Sequence, residues 1–404
     1  MRDSSRGRRM LAVVTGAMAL LAAVSFVRPA AARAESQFHF PRPQSIEPNV
    51  QFWIRVFTEM SVRDFAIVDK EKITRVYQVF HLPGEGIPNR DDIDWVNTYL
   101  KTKYGDILER LASGRPPSNY EERRVAEMFK GEPLSAYSLA AQNLRVQEGL
   151  RERFRQGLVR SKYYRPTMER IFRQFGLPPE LVTLAQVESG FQTRAKSSAG
   201  ACGIWQFTRA TGAKYMKISR YRDDRLNPIR STEAAAKLLR SNYDLLGDWP
   251  LAITAYNYGT GGIARAAEMF GGDYARMIEK YNGPRFGFAV KNYYAEFLAA
   301  LDVYQHEEQY FPGINSEVAR VETTHNYTVR RGDTPSAIAS MFGVTPKALM
   351  DANGIESPKA LRVGSTIVIP ESGAESSAPE PVRTKSAPKQ RARTHKAHRV
   401  SHHE

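Results

Sequence analysis

From Tyr164 to Tyr304 the chain reads as a succession of helices with their ends marked. Tyr164-Arg165-Pro166 opens one that runs to Phe175 and stops at Gly176. Pro178-Pro179 starts a short one carrying Leu181, Leu184, Ala185 and Glu188, with proline at its favoured first turn. Asn227-Pro228 opens a longer apolar stripe through Ala234, Ala235, Leu238, Leu239, Tyr243 and Leu246, which Gly247 closes. Asparagine caps helix starts and glycine accepts the left-handed residue beyond helix ends. Trp249-Pro250 begins the next helix, Gly259 to Gly262 separates it from one around Ile263 to Phe270, and the last runs from about Phe288 to Tyr304. This periodicity predicts a compact helical domain over 165–311. Cys202 is the only cysteine, so no intrachain disulfide helps and the core must hold the fold alone. No His lies within 80 residues of Cys202, which favours a small buried filler over a catalytic thiol.

Upstream, residues 35–164 read as an all-α region without a convincing catalytic motif. Helical spacing covers Val50 to Phe80, with a less regular stretch at Val62, Phe65, Ile67 and Val68; further helices are expected over Asp92–Leu111 and Leu139–Arg160. The first 34 residues have the layout of an export signal. Arg2, Arg6, Arg8 and Arg9 precede an uncharged stretch from Met10 to Val27, and Ala32-Arg33-Ala34 offers a cleavage site before Glu35. A retained membrane anchor is the alternative, because eighteen apolar-leaning residues sit at the lower edge of a span. Either way the chain is expected in the periplasm or cell envelope.

The formal charge of +15 divides into +5 for residues 1–34, +3 for 371–404 and +7 between them. That excess suits an anionic partner, and it is too diffuse for a nucleic-acid module. Residues 312–325 read as a linker. From 371 onward Ser, Ala, Pro, Lys, Arg and His dominate, a composition that cannot bury enough surface to fold. His395, His398, His402 and His403 are weak metal-ligand candidates there; a solvated basic tail touching wall or membrane is the preferred reading, and no metal or cofactor is expected.

Chemistry concentrates in Leu184-Ala185-Gln186-Val187-Glu188-Ser189-Gly190-Phe191, in Ser197 to Phe207 with its Gly203-Ile204-Trp205-Gln206 turn, and in Ala255-Tyr256-Asn257. Breaking a glycosidic bond requires a carboxylic acid that stays protonated near neutral pH. Glu188, at the C-terminal end of an apolar helix, is placed for that. The helix dipole there disfavours a carboxylate by only about 0.3–1 kcal/mol, so desolvation by neighbours such as Phe191, Trp205 and Phe207 must supply the rest. Ordinary glycosidases use two carboxylates. No acid stands between Ser189 and Arg222, which leaves Asp223 and Asp224 as outside candidates.

These motifs resemble the soluble lytic transglycosylase family, specifically its membrane-bound lytic transglycosylase D type from about Val50 to Tyr304. The resemblance implies a lysozyme-like fold and cleavage of the bond between N-acetylmuramic acid and N-acetylglucosamine in peptidoglycan. One Glu would act as acid and then as base toward the muramic acid C6 hydroxyl, giving a 1,6-anhydro end. It further implies Glu188 as catalyst and Ser197, with Ser198 as rival, near the acid. Gln206 would bond sugar groups and Trp205 would wall the cleft, with core packing as the alternative for Trp205. Tyr256 would lie against the acid, Asn257 would bind or brace, and Tyr293, with Tyr294 as rival, would hold the late tyrosine position. Two departures stand out: Ala185-Gln186 replaces the usual Pro-His, and Tyr258 replaces the His that often follows Tyr-Asn.

A second resemblance covers residues 326–370. Tyr327-Thr328-Val329, Gly332-Asp333-Thr334, Asn353 and Ile367-Val368-Ile369 match the LysM module, a βααβ unit that binds N-acetylglucosamine-containing glycans. It implies Gly332, Asp333, Thr334 and Asn353 as glycan-binding positions. The competing readings are a hydrolytic muramidase of the goose-lysozyme kind and a non-catalytic wall-binding scaffold. The expected fold class is mainly α.

Overall fold

The computed structural model of the protein describes residues 40–220, 222–316, 326–329, 331–341 and 344–369. The export signal expected at 1–34 and the tail expected from 371 lie outside them. The described chain is mainly helical, with one three-stranded and one two-stranded antiparallel sheet. Among the described residues no helix is long and apolar enough to cross a membrane.

The first third corrects the all-α expectation. Helix α1 (Glu47–Thr58) is followed by strands β1 (Asp64–Asp69) and β2 (Val76–His81). After helices α2 (Arg90–Ala112), α3 (Tyr120–Glu127) and α4 (Ser135–Gln142), strand β3 (Leu144–Glu148) completes a sheet of order β2-β1-β3. Phe65 pairs with both Phe80 and Glu148, so β1 is the central strand. Its run Phe65-Ala66-Ile67-Val68 is buried throughout, as a strand covered on both faces requires. A short continuous apolar run fits helix and strand periods equally, which is why spacing alone misassigned it. The helix expected over 139–160 is likewise split by β3. Gly149 marks the split, since a side chain there would lie 2.1 Å from the Ser61 carbonyl oxygen. Tyr77, Leu100, Tyr104, Leu108, Val125 and Phe129 pack with β1 into this region's own core.

Helix α5 (Arg151–Gln174) is continuous, so the helix expected to open at Tyr164 is its second half and Pro166 lies inside it. Proline removes a helical hydrogen bond. Burial of Phe154 and Leu158 before it, and of Met168, Ile171 and Phe172 after it, holds both halves in place. No break therefore separates the regions expected at 35–164 and 165–311.

The remaining helical signals are realised. A 3₁₀ turn at Pro179–Thr183 leads into α6 (Leu184–Ser189), which ends at left-handed Gly190. Then come α7 (Arg209–Gly212), α8 (Pro228–Leu246), α9 (Trp249–Tyr258), α10 (Thr260–Met269), α11 (Tyr274–Lys280), α12 (Phe288–Gln305) and α13 (Glu307–Tyr310). The Asn227 side chain caps α8 by accepting from the Ile229 and Arg230 amides. Helix α12 is the spine: it packs against α1, α6 and α9. Asn49 and Trp53 of α1 donate to its Asn292 Oδ1 at 3.0 and 3.3 Å.

Beyond residue 325, β4 (Asn326–Thr328) and β5 (Thr366–Val368) flank α14 (Pro335–Met341) and α15 (Pro346–Ala352), the βααβ order expected. Val329, Ile338, Leu349, Ile367 and Ile369 form a separate small core.

Candidate active site

Glu188 occupies the penultimate position of α6, and the ends of that helix are clamped on several sides. Gln186, buried, donates to the Phe154 carbonyl at 3.1 Å and accepts from the Tyr304 hydroxyl at 3.2 Å. Gly157 leaves the room it needs, since a side chain there would fall 2.4 Å from the Gln186 amide. Gln186 thus ties α6 to α5 and α12 at a position where the family resemblance suggested His. At the other end Ser189 Oγ donates to the Ile204 carbonyl at 2.8 Å, and Arg160 Nε donates to the Gly190 carbonyl at 2.7 Å.

The Gly203–Gln206 turn has a geometric requirement at its first residue. Gly203 has φ +80°, and a side chain there would lie 1.9 Å from the Arg225 carbonyl oxygen. Trp205, one of the expected cleft residues, is wholly buried: its ring stacks on Phe172 at 5.5 Å and its Nε1 donates to Thr232 Oγ1 at 2.9 Å. It is core, not cleft wall. An indole with its N–H satisfied by a neighbouring hydroxyl is stable in the interior. Its backbone nonetheless serves the site, because the Tyr256 hydroxyl donates to the Trp205 carbonyl at 2.8 Å.

One tyrosine bonds Glu188 and a second feels its charge. The Tyr293 hydroxyl, from α12, donates to Glu188 Oε1, and the Tyr256 phenol feels the same charge. The rival Tyr294 points elsewhere, donating to the Pro41 carbonyl at 2.7 Å. Burial pushes the Glu188 carboxyl up to about 7, and the bond from Tyr293, which favours the carboxylate, offsets part of that rise. Burial together with the Glu188 charge drives both phenols well above their ordinary range, so both stay neutral donors.

The outer residues are more loosely placed. Ser197 is exposed, and its hydroxyl accepts from the Ala201 amide at 3.1 Å, closing the loop that leads to the turn. Gln206, at φ 47°, donates to the carbonyls of Gly203 and Ala195 at 2.8 and 3.3 Å, which braces that turn from inside. Asn257 is exposed at the end of α9. Asp223 and Asp224 do not join Glu188: Arg225 holds Asp223 at 2.6 Å, and Asp224 pairs with Arg222 and Arg230 at 2.8 and 3.1 Å. Cys202 is buried, and burial pushes its thiol up.

One group was missed by sequence reasoning. Glu296 follows Tyr293 by one helical turn on α12 and lies mostly buried. Burial first, and then the charge of Glu188, push its carboxyl up to about 8, while Arg145 pulls it back. Arg145 comes from β3 and its guanidinium lies 4.1 Å from the Phe288 ring centroid. The only sequence signal was the three-residue spacing from Tyr293.

In the βααβ unit, Tyr327 donates to Asp333 Oδ2 at 2.8 Å and Thr334 Oγ1 accepts from the Ala337 amide at 3.1 Å. Asn353 is engaged internally, donating to the Leu349 and Val368 carbonyls at 2.7 and 2.6 Å and accepting from the Val368 amide at 2.7 Å. Among the described residues no group of His, Cys, Asp and Glu is arranged to hold a metal ion.

The family model "Transglycosylase SLT domain" matches residues 170–278, and the LysM domain model matches 327–370. Membrane-bound lytic murein transglycosylase D of Escherichia coli (strain K12) is 34% identical over 143 residues, 33% of this chain and 30% of that protein. The transglycosylase of Enterobacteria phage PRD1 is 38% identical over 88 residues, 22% of this chain and 31% of that one. The cortical fragment-lytic enzyme of Bacillus subtilis (strain 168) is 49% identical over 47 residues, 12% of this chain and 11% of that one. The chain thus spans less than a third of the length of these relatives. Among solved structures, an inactive mutant of the lytic transglycosylase Slt from Pseudomonas aeruginosa shares 18% identity at a TM-score of 0.32, covering 54% of this chain and 36% of that one. The chain therefore carries a transglycosylase SLT domain followed by a LysM domain, and over about a third of its length it is homologous to lytic murein transglycosylase D.

Proposed function

We propose that this protein is a lytic transglycosylase of the cell envelope that cleaves the N-acetylmuramic acid to N-acetylglucosamine β-1,4 bond of peptidoglycan, with the LysM unit holding it on the wall. The observation that carries the reading is the partly buried Glu188 carboxyl, which desolvation pushes up to about 7 and which Tyr293 bonds, inside a transglycosylase SLT domain. In this scheme Glu188 gives its proton to the glycosidic oxygen as the bond from muramic acid C1 breaks. The resulting carboxylate then takes the proton of the muramic acid C6 hydroxyl, whose oxygen bonds to C1. One 1,6-anhydro end forms, no water is consumed and Glu188 is left protonated again. An attacker within the substrate itself has a large entropic advantage over water. Tyr293 stabilises the carboxylate midway, and Tyr256, fixed by the Trp205 carbonyl, shapes the pocket beside it. Ser197, Gln206 and Asn257 are assigned to sugar contacts along the groove, and Gly332, Asp333 and Thr334 to glycan contacts on the LysM unit. The catalytic domain is read as lysozyme-like, reached by the chain after export through residues 1–34.

The test is direct. Purified Glu188→Gln is expected to release no soluble muropeptides from sacculi while still sedimenting with them; release at the wild-type rate would remove the assignment.

A further inference from the structure

The LysM unit meets the catalytic domain through charge. Arg194, in the loop that follows α6, donates to the Asp351 carboxylate of α15. Arg230, in the first turn of α8, bonds Glu356 just beyond α15, and Arg222 lies 3.9 Å from the same carboxylate. Between these contacts Gly354, at φ +64°, brings its backbone against the start of α8. A side chain there would lie 3.5 Å from Asn227 Nδ2. One short acidic stretch of the module, 351–356, thus faces arginines from two separate segments of the SLT domain.

The partners of these groups show that both halves are prepared for the contact. Among the described residues Glu356 has no ion-pair partner within its own module, and both of its arginines belong to the other domain. Arg194 likewise has Asp351 as its bonded partner and no other among the described residues. On the module side Lys347 holds Asp351 at 2.7 Å from one turn back on α15. On the catalytic side Asp224 holds Arg222 and Arg230 at 2.8 and 3.1 Å. Groups already oriented within their own domain lose less freedom when they pair. Exposed ion pairs are individually weak and are screened by salt, so a joint made of them is reversible.

We infer that residues 351–356 and Arg194, Arg222 and Arg230 form a docking interface that seats the LysM unit beside the loop leading from Glu188 to the Gly203–Gln206 turn. The interface concerns how the module is held, and it stands apart from the reaction class of the catalytic domain. A glycan bound to a docked module meets the catalytic domain in one orientation, where a free tether would allow many.

The experiment treats the full chain carrying Arg194→Lys and Arg230→Lys with a zero-length carbodiimide at low ionic strength. Amide cross-links between positions 194 and 351 and between 230 and 356 are expected by peptide mass spectrometry. High salt should lower both several-fold. Adding Glu356→Gln should remove the second and weaken the first, because the two pairs hold one joint. Absence of both cross-links at low salt would overturn the inference. Nitrogen-15 relaxation of the unsubstituted full chain supplies a second readout. Amides of residues 326–369 are expected to tumble with the slow correlation time of the catalytic domain, and faster in the double variant Asp351→Asn, Glu356→Gln. Independent tumbling of the module in the unsubstituted chain, or tumbling that the double variant leaves unchanged, would overturn the inference.

Discussion

At the scale of single residues, the site trades stability for chemistry. The folded Glu188 carboxyl titrates at about 7 because it is buried, well above the ordinary unfolded value of about 4.3. A carboxyl with a raised folded value favours the fold while protonated. That contribution is full below the unfolded value and is lost as pH rises through about 7. Ionising it costs roughly 3–4 kcal/mol. Glu188→Gln is therefore expected to unfold at a higher temperature than wild type at pH 8, with the gap closing at pH 4, as calorimetry would show. Tyr293→Phe tests the opposite influence. The lost bond favoured the carboxylate, so Glu188 should hold its proton to higher pH and the alkaline limb of activity should move up, with a slower second half-reaction. An alkaline limb that stayed in place would mean the bond carries no weight. Glu188 was legible from its place at the end of an apolar helix, and Tyr256 and Tyr293 only through the resemblance of their motifs to the family's. Trp205 was not, since an indole suits a sugar cleft and a core equally, and only the positions of Phe172 and Thr232 decide between them.

At the scale of elements, the site is the meeting of three helix surfaces and a turn. Helix α6 presents the acid, α12 and α9 present the tyrosines, and the Gly203–Gln206 turn fixes α9 through one carbonyl. Gly203→Ala is expected to destabilise the fold by about 2 kcal/mol or more, because a β-carbon meets the Arg225 backbone in a left-handed conformation. Denaturant titration would read the loss, and a residual activity defect at temperatures where the variant is folded would report the displaced Tyr256. A variant as stable as wild type would contradict the packing described. The helices around the site were readable from caps and apolar spacing. The β2-β1-β3 sheet was not, because Phe65 to Val68 is too short a run to separate the two periods and its partners lie 80 residues apart in β3. Glu296 was hidden for a similar reason: the packing of α12 against α6 is a tertiary fact that no local pattern encodes.

At the scale of the molecule, the small βααβ module has a core of its own, separate from that of the first third of the chain. A module that binds the polymer raises the local concentration of substrate without touching the site. Removal of residues 317–404 is expected to slow digestion of sacculi at least several-fold while leaving cleavage of short soluble glycans intact; equal loss on both substrates would mean the module supports the fold instead. The proposed reaction makes its sharpest statement about products, because an acid working without water leaves a different chain end from an acid working with it. Mass spectrometry of the muropeptides released from purified sacculi is therefore the most direct measurement. Ends lighter by one water, as 1,6-anhydro-muramic acid requires, are the predicted result. Reducing muramic acid ends throughout would contradict the account.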